Sequence, residues 1–303
     1  KPLHPCPGNG MQPRRRRVQP LGGKRVVLAV VSGKGGTGKT SFSASLALSR
    51  PGSVAADADV EEPNLAFLLG EPVLATMNVV LPVPAVDAEK CTRCGTCARV
   101  CRFGAVLSFG KRPPVFNELC HACGACVMAC PEKALYEVDR PVGFIGRGGG
   151  DGITLVEGRL LVGNPNPVPV IERTIQAALS EDGDTVIDSP PGAACPMVAA
   201  VREADAVILV TEPTPFGRAD AEVVSQVLRD MGKPAALVVN RSGILEEELP
   251  FEGVTGTLPV LARLRFSRKV AEGCARGIPP TELDPSWKDA AKAAWEWAEG
   301  VSR

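Results

Sequence analysis

Histidine is nearly missing from this chain: His4 and His121 are the only two in 303 residues. That excludes a multi-histidine metal site and leaves little for a histidine general base. Aromatic residues are scarce too, at 4% against 45% hydrophobic overall, so the core has to be built from aliphatic side chains and alanine. There is no net charge, with 34 Lys+Arg against 34 Asp+Glu. The balance removes any global electrostatic case for nucleic acid or for an anionic membrane. No apolar run reaches the ~20 residues of a membrane span, and no secretory h-region with a cleavage site is found. A cytoplasmic protein is expected.

Cysteine, by contrast, is abundant. Eight of the eleven fall into two runs, Cys91-x-x-Cys94-x-x-Cys97-x-x-x-Cys101 and Cys120-x-x-Cys123-x-x-Cys126-x-x-x-Cys130-Pro131, an internal repeat of one eleven-residue frame. Such spacing reads as cluster binding in a reducing compartment rather than as a disulfide framework. Each run matches that of bacterial ferredoxins, where three cysteines wrap one cubane and the fourth ligates the other. The match implies two [4Fe–4S] clusters, one on Cys91, Cys94, Cys97 and Cys130, the other on Cys101, Cys120, Cys123 and Cys126. Zinc is the alternative, but a zinc site uses four ligands at two pairs and leaves half of each run unexplained. Arg102 stands where a proline usually follows the fourth cysteine, and His121 reads as a surface residue rather than a ligand.

A second motif precedes the cysteines. Residues 25–31 are β-branched and almost wholly apolar, as a strand buried on both faces should be. Gly33-Lys34-Gly35-Gly36-Thr37-Gly38-Lys39-Thr40 then fits G-x-x-x-x-G-K-[ST], followed by the helix-compatible residues 41–49 beginning at Ser41. Glycines let backbone N–H groups surround phosphate oxygens at a helix N-terminus. Lys39 would reach the β- and γ-phosphates of ATP, and the Thr40 hydroxyl would ligate Mg²⁺. Downstream, residues 53–59 form a short strand ending in Asp57 and Asp59, and residues 185–192 an apolar strand ending in Asp188 and Pro190-Pro191-Gly192.

With Lys34 inside the loop, residues 34–40 resemble the deviant Walker A motif of the MinD/ParA group, which includes the nitrogenase iron protein. The resemblance covers most of the chain beyond residue 24 and implies a slow, Mg-dependent ATPase acting as an ATP-dependent homodimer, with Lys34 crossing to the partner's nucleotide. It implies that Asp59 orients the attacking water or metal with Asp57 in support, and that Glu61, Glu62 and Asn64 share that switch. It also implies that Asp188 is a second Mg²⁺ contact, that the Gly192 N–H senses the γ-phosphate, and that Asn240 bonds adenine. Residues 211–217 match a loop of members that carry a ferredoxin insert. Cys195 stands seven residues after Asp188, where the nitrogenase iron protein has a cluster ligand, but the second ligand of that pattern is missing.

The expected fold is α/β: a mostly parallel P-loop sheet with helices on both faces, interrupted by an α+β ferredoxin-like insert. Residues 1–24, with Arg14 to Arg17 consecutive, form a disordered arm; 25–86 and 143–303 form the P-loop domain; 87–142 form the insert. Residues 72–84 read as extended, 146–152 as a flexible return linker, and 153–162 as a hairpin turning near Gly158. Helices are expected at 169–179, 218–231, 261–275 and 287–301, and strands at 206–211, 235–241 and 254–259. Lys288 and Lys292 are balanced by Asp289, Glu296 and Glu299, so the last helix packs on the sheet rather than on a membrane. Three functions fit: an ATP-gated electron carrier with an unknown redox partner, an iron–sulfur carrier or maturation ATPase, and a redox-sensing positioning switch. The first is favoured, because the C-terminal CxxC of cluster carriers is absent.

Overall fold

The computed structural model describes residues 25–108, 114–150, 152–245, 251 and 258–302. The N-terminal arm and residues 254–257 of the expected strand at 254–259 lie outside them. In chain order the strands are β1 (Val27–Val31), β2 (Val54–Asp57), β3 (Leu74–Val86), β4 (Val106–Leu107), β5 (Val115–Phe116), β6 (Leu135–Gly150), β7 (Ile153–Leu160), β8 (Thr185–Asp188), β9 (Ala206–Thr211), β10 (Ala235–Ser242) and β11 (Val260–Arg265). The helices are α1 (Lys39–Leu48), α2 (Leu65–Leu69), α3 (Thr96–Val100), α4 (Ala125–Met128), α5 (Val168–Leu179), α6 (Cys195–Val201), α7 (Pro215–Asp230), α8 (Arg268–Cys274), α9 (Pro280–Leu283) and α10 (Pro285–Val301).

Among the described residues nine strands make one sheet in the order β11-β10-β9-β1-β8-β2-β7-β6-β3. The seven from β11 to β7 are parallel, and β6 and β3 are added antiparallel at one edge. β1, β2, β8 and β9 are apolar on both faces because helices cover both. One face packs on α5, α6 and α7 through Ile171, Ile175, Met197 and Val224. The other packs on α1 and α10 through Phe42, Leu46, Trp287, Ala291 and Ala294. α10 is fixed to α1 by a hydrogen bond from Trp295 Nε1 to Leu46 O (3.1 Å) and by Arg50, which lies over the Trp295 ring. It packs inward as expected, with Ala290, Ala294, Trp295 and Ala298 on its buried face.

The edge of the sheet corrects three expectations. Residues 146–150 are not a linker but the end of β6, paired with β7 from Gly146↔Glu157 to Gly150↔Ile153. The glycines make room for a crossing segment: a Cβ at Gly146 would overlap Val73 Cγ1, and one at Gly148 would overlap Pro72 O. Residues 153–160 are one strand, and the hairpin is the β6–β7 pair instead. Gly158 lies in mid-strand, where a Cβ would overlap Thr174 Oγ1. Residues 260–265 are β11 rather than the first half of a helix, and the helix begins only at Arg268 with Ser267 as its cap.

β3 and β6 pair without interruption from Leu74↔Arg147 to Val86↔Leu135, apart from two register shifts. β7 accompanies only the Gly143–Gly150 half of β6, so the far halves continue past the sheet as a two-stranded ribbon. The insert sits at its tip. Pro82 and Pro84 are tolerated in β3 because it is an edge strand.

Candidate functional site

The P-loop connects β1 to α1, and the C-terminal ends of the neighbouring strands carry the acidic residues. Asp57 and Asp188 are register partners on β2 and β8, and Glu157 is the partner of Asp57 on β7. All three are buried and form one row. Lys39 reaches into it, with Nζ 2.9 Å from Asp188 Oδ1 and 3.4 Å from Asp59 Oδ2. Thr40 Oγ1 donates to Asp188 Oδ2 (2.7 Å) and Ser43 Oγ to Asp188 Oδ1 (2.7 Å). Asp57 accepts from the backbone N–H groups of Asn64 (2.9 Å) and Leu65 (2.8 Å), and so ties residues 59–65 to the sheet. Glu157 Oε1 accepts from Arg159 Nε (2.5 Å), while its buried Oε2 has no partner among the described residues.

The electrostatics follow from this crowding. Burial, reinforced by Asp188, raises the Asp57 carboxyl well above the usual carboxylate range. Burial also raises Asp59, to about 6, against the opposing pull of Lys39. For Lys39, burial acts downward, but Asp188 and Asp59 outweigh it and hold the ammonium above its ordinary value.

The loop fits a nucleotide. Among the described residues Thr37 Oγ1 is buried without a hydrogen-bond partner, and the space where side chains of Gly35 and Gly36 would stand is open. Gly38 holds φ 96°, and a Cβ there would overlap the Asn240 amide. Asn240 Nδ2 donates to Thr37 O (2.8 Å), so in this arrangement Asn240 braces the loop. The Gly192 N–H donates to Ser32 O (2.8 Å), and Ser41 Oγ faces Cys274 Sγ at 4.0 Å. A Cβ on Gly33 would overlap Asp220, so α7 packs directly on the loop. Lys34 Nζ lies 3.3 Å from Glu212 Oε2.

The insert repeats its backbone as well as its cysteines. Positive φ recurs at Arg93 and Ala122, at Gly95 and Gly124, and at Gly104 and Lys133, each pair separated by the 29 residues that separate Cys91 from Cys120. Each run thus enters its short helix, α3 or α4, through the same left-handed turn. Cys91, Cys94, Cys97 and Cys130 line one cavity formed wholly by insert residues. Four thiols around one space suit a [4Fe–4S] cluster, and they are the set expected from the ferredoxin spacing. Cys101, Cys120, Cys123 and Cys126, the other expected set, lie in the same insert. Cys120 and Ala122 pack at the margin of the main core, Asn166 Nδ2 lies 3.4 Å from His121 Nδ1, and His121 stacks on Phe103 at 4.0 Å. Arg140 on the ribbon donates to Asn117 O and Cys120 O. The second run is therefore docked against the P-loop body around Cys120 to Ala122, and each run keeps one exposed cysteine, Cys94 in the first and Cys123 in the second.

Residues 90–135 match the family model described as a 4Fe-4S dicluster domain. Among curated proteins, MJ0579 of Methanocaldococcus jannaschii is 31% identical over 75% of this chain and 84% of its own length, and MJ0578 of the same organism is 32% identical over 74% and 81%. The chain belongs to their family. Its fold is that of the MinD/ParA P-loop ATPases, with a 4Fe-4S dicluster domain lying inside the chain. The septum site-determining protein MinD of Pyrococcus horikoshii, complexed with Mg-ADP, superposes with a TM-score of 0.56 at 20% identity, over 92% of this chain and 99% of that one. McdA of Cyanothece, complexed with ATP, gives 0.53 at 17% identity, over 93% and 99%. No helix among the described residues is long and apolar enough to cross a membrane.

In this MinD/ParA-fold dicluster protein the expected residues Lys39, Thr40, Asp59 and Asp188 converge on one point. Cys195 is the first residue of α6. Four participants were not foreseen: Ser43, Glu157, Glu212 and Arg241. Ser43 lies one helical turn beyond Lys39, a spacing that could have signalled it. Glu212 lay within the 211–217 loop without an assigned role.

Asp59 offers a pH test. Its pKa is raised in the fold, so the penalty of keeping it ionised is fully present above pH ~6 and fades as the pH falls through 6 toward the ordinary value of 3.8. Asp59→Asn should therefore stabilise the nucleotide-free protein at pH 7.5 by about 1 kcal/mol, discounted for its partial exposure. The gain should shrink at pH 5. Melting curves at the two pH values decide it; a pH-independent difference would reject the charge argument.

Proposed function

We propose that the protein is a Mg-dependent ATPase working as an ATP-dependent homodimer, in which nucleotide state gates electron transfer through two [4Fe–4S] clusters to a redox partner protein. Gly33 to Ser41 hold the phosphates, Thr40 and Asp188 hold Mg²⁺, Asp59 orients the attacking water, Gly192 reads the γ-phosphate after leaving Ser32 O, Asn240 turns to adenine, and Lys34 acts across the dimer. The observation that carries this reading is the continuity of the sheet. The ribbon strand β6 pairs with β7, β7 with β2 and β2 with β8, so the element that bears the clusters is hydrogen-bonded to the strands that end in Asp57 and Asp188. The second cluster, docked on the P-loop body, is the one whose surroundings nucleotide would change. The first, whose cavity is lined by insert residues alone, exchanges electrons with the partner.

Charge and solvation set cluster potential, and coupled sites typically share ~1–3 kcal/mol. For one electron that is roughly 40–130 mV. Potentiometric EPR with and without a slowly hydrolysed ATP analogue should show such a shift in one cluster. By linkage, reduction should change nucleotide affinity by the same factor. Unchanged potentials together with unchanged affinity would refute gating.

A further inference from the structure

We propose that Glu212 is a latch that holds Lys34 in its own subunit until nucleotide-driven dimerisation draws the lysine away. The inference rests on the reading of Lys34 as a residue that acts across a dimer, and it adds the element that restrains it.

Glu212 follows β9 directly, and its side chain is 7% exposed. Its two oxygens are shared between two cations: Oε2 lies 3.3 Å from Lys34 Nζ, and Oε1 2.6 Å from Arg241 Nη1. Arg241 Nη2 also donates to Gly36 O (2.8 Å), so the arginine is tied both to the glutamate and to the P-loop backbone. The loop around Glu212 is fixed. Thr214 caps α7 by accepting from the Gly217 N–H (3.0 Å), Thr211 Oγ1 donates to Gly217 O (2.8 Å), and a Cβ on Gly217 would overlap Glu212 O. Arg241 holds φ 57°, a conformation costly for a non-glycine residue and kept only where its surroundings enforce it.

Two cations on one buried carboxylate make the contact releasable. Taking the only partner from a buried charge is severely destabilising, because the remaining charge is left uncompensated. Here Arg241 stays on Glu212 when Lys34 leaves, so departure costs one contact of a half-exposed lysine and no orphaned charge. Arg241 is therefore the permanent partner, held by the loop backbone, and Lys34, at 38% side-chain exposure, is the removable one. Until nucleotide closes the dimer, Lys34 is withheld from a partner's site.

The test is sedimentation of the anaerobic full chain with Mg²⁺ and a slowly hydrolysed ATP analogue. Glu212→Gln should dimerise at about tenfold lower protein concentration than wild type, and should have no such effect in a Lys34→Ala background. Glu212→Asp, which keeps the charge but draws it back from Lys34, should move the same way by less, and it covers the case in which the glutamine variant folds poorly. Arg241→Gln leaves the Lys34 contact intact and should not promote dimerisation. Dimerisation of Glu212→Gln and Glu212→Asp at or above the wild-type concentration overturns the latch, as does a gain that persists without Lys34. If Lys34→Ala itself dimerises like wild type, the role of Lys34 across the dimer has failed; if Lys34→Ala loses the dimer while the Glu212 variants gain nothing, only the latch has.

Discussion

Lys39→Ala should bind no nucleotide and should also be about 3–5 kcal/mol less stable before any nucleotide is added. The second effect is the unusual one. Lys39 is 6% exposed and lies among Asp188, Asp59 and Asp57, two of which are fully buried. Removing the ammonium leaves these carboxylates to one another in a site where Asp57 and Asp188 are fully buried and only Asp59 meets solvent, which is the condition under which breaking a buried pair is costly. Protonation relieves that repulsion, so the loss should be smaller at pH 5 than at pH 8. Lys34→Ala supplies the contrast: its side chain is half-exposed and Glu212 keeps Arg241, so stability and nucleotide binding should both survive. Thermal denaturation and equilibrium binding of ATP measure both quantities. A Lys39→Ala protein that melts like wild type would mean that this lysine does not hold the acidic row together.

Anaerobically purified protein should carry about eight iron and eight acid-labile sulfide per chain, and single cysteine variants should lose about half in a crossed pattern. Cys130 belongs by position to the second run but lines the cavity of Cys91, Cys94 and Cys97. Cys130→Ala combined with Cys91→Ala should therefore lose no more iron than either alone, whereas Cys130→Ala combined with Cys126→Ala should lose nearly all of it. Cys101→Ala should behave as a member of the Cys126 group. Iron analysis and EPR of the reduced variants separate these outcomes. Additive loss for Cys91 with Cys130 would contradict the shared cavity, and stoichiometric zinc without iron would remove the clusters altogether.

What could be read before the structure was whatever depends on short stretches of chain. The P-loop, the Asp188 strand end and the cysteine runs each place their groups within about ten residues; the first two keep their expected strand and loop form, and Cys91, Cys94, Cys97 and Cys130 line one cavity. What escaped depends on distant partners or on glycine. Glu212 meets Lys34 and Arg241 only when β9, β10 and the P-loop are assembled, and no local pattern marks it. Residues 146–150 look like a linker because glycine carries no strand signal, yet their small size is what lets residues 71–73 cross the strand. Only Ala262 to Arg265 alternate as an edge strand does, and so short a pattern also fits the start of a helix.

The ribbon gives iron a part in folding order. Val86 and Leu135 pair at its tip, so the 48 residues 87–134 must be closed as a loop before the sheet edge can zip. Closing a flexible loop of that length costs about 3 kcal/mol in chain entropy. The proposed cluster, joining Cys91 to Cys130, would leave only four residues on either side, 87–90 and 131–134, and would remove most of that cost in advance. Cells short of iron would then make a chain whose central strands fold while β3 lags behind, leaving β6 as a bare edge open to pairing with other chains. Cofactor supply would thus act as a checkpoint on the quality of the whole sheet, before any electron has moved.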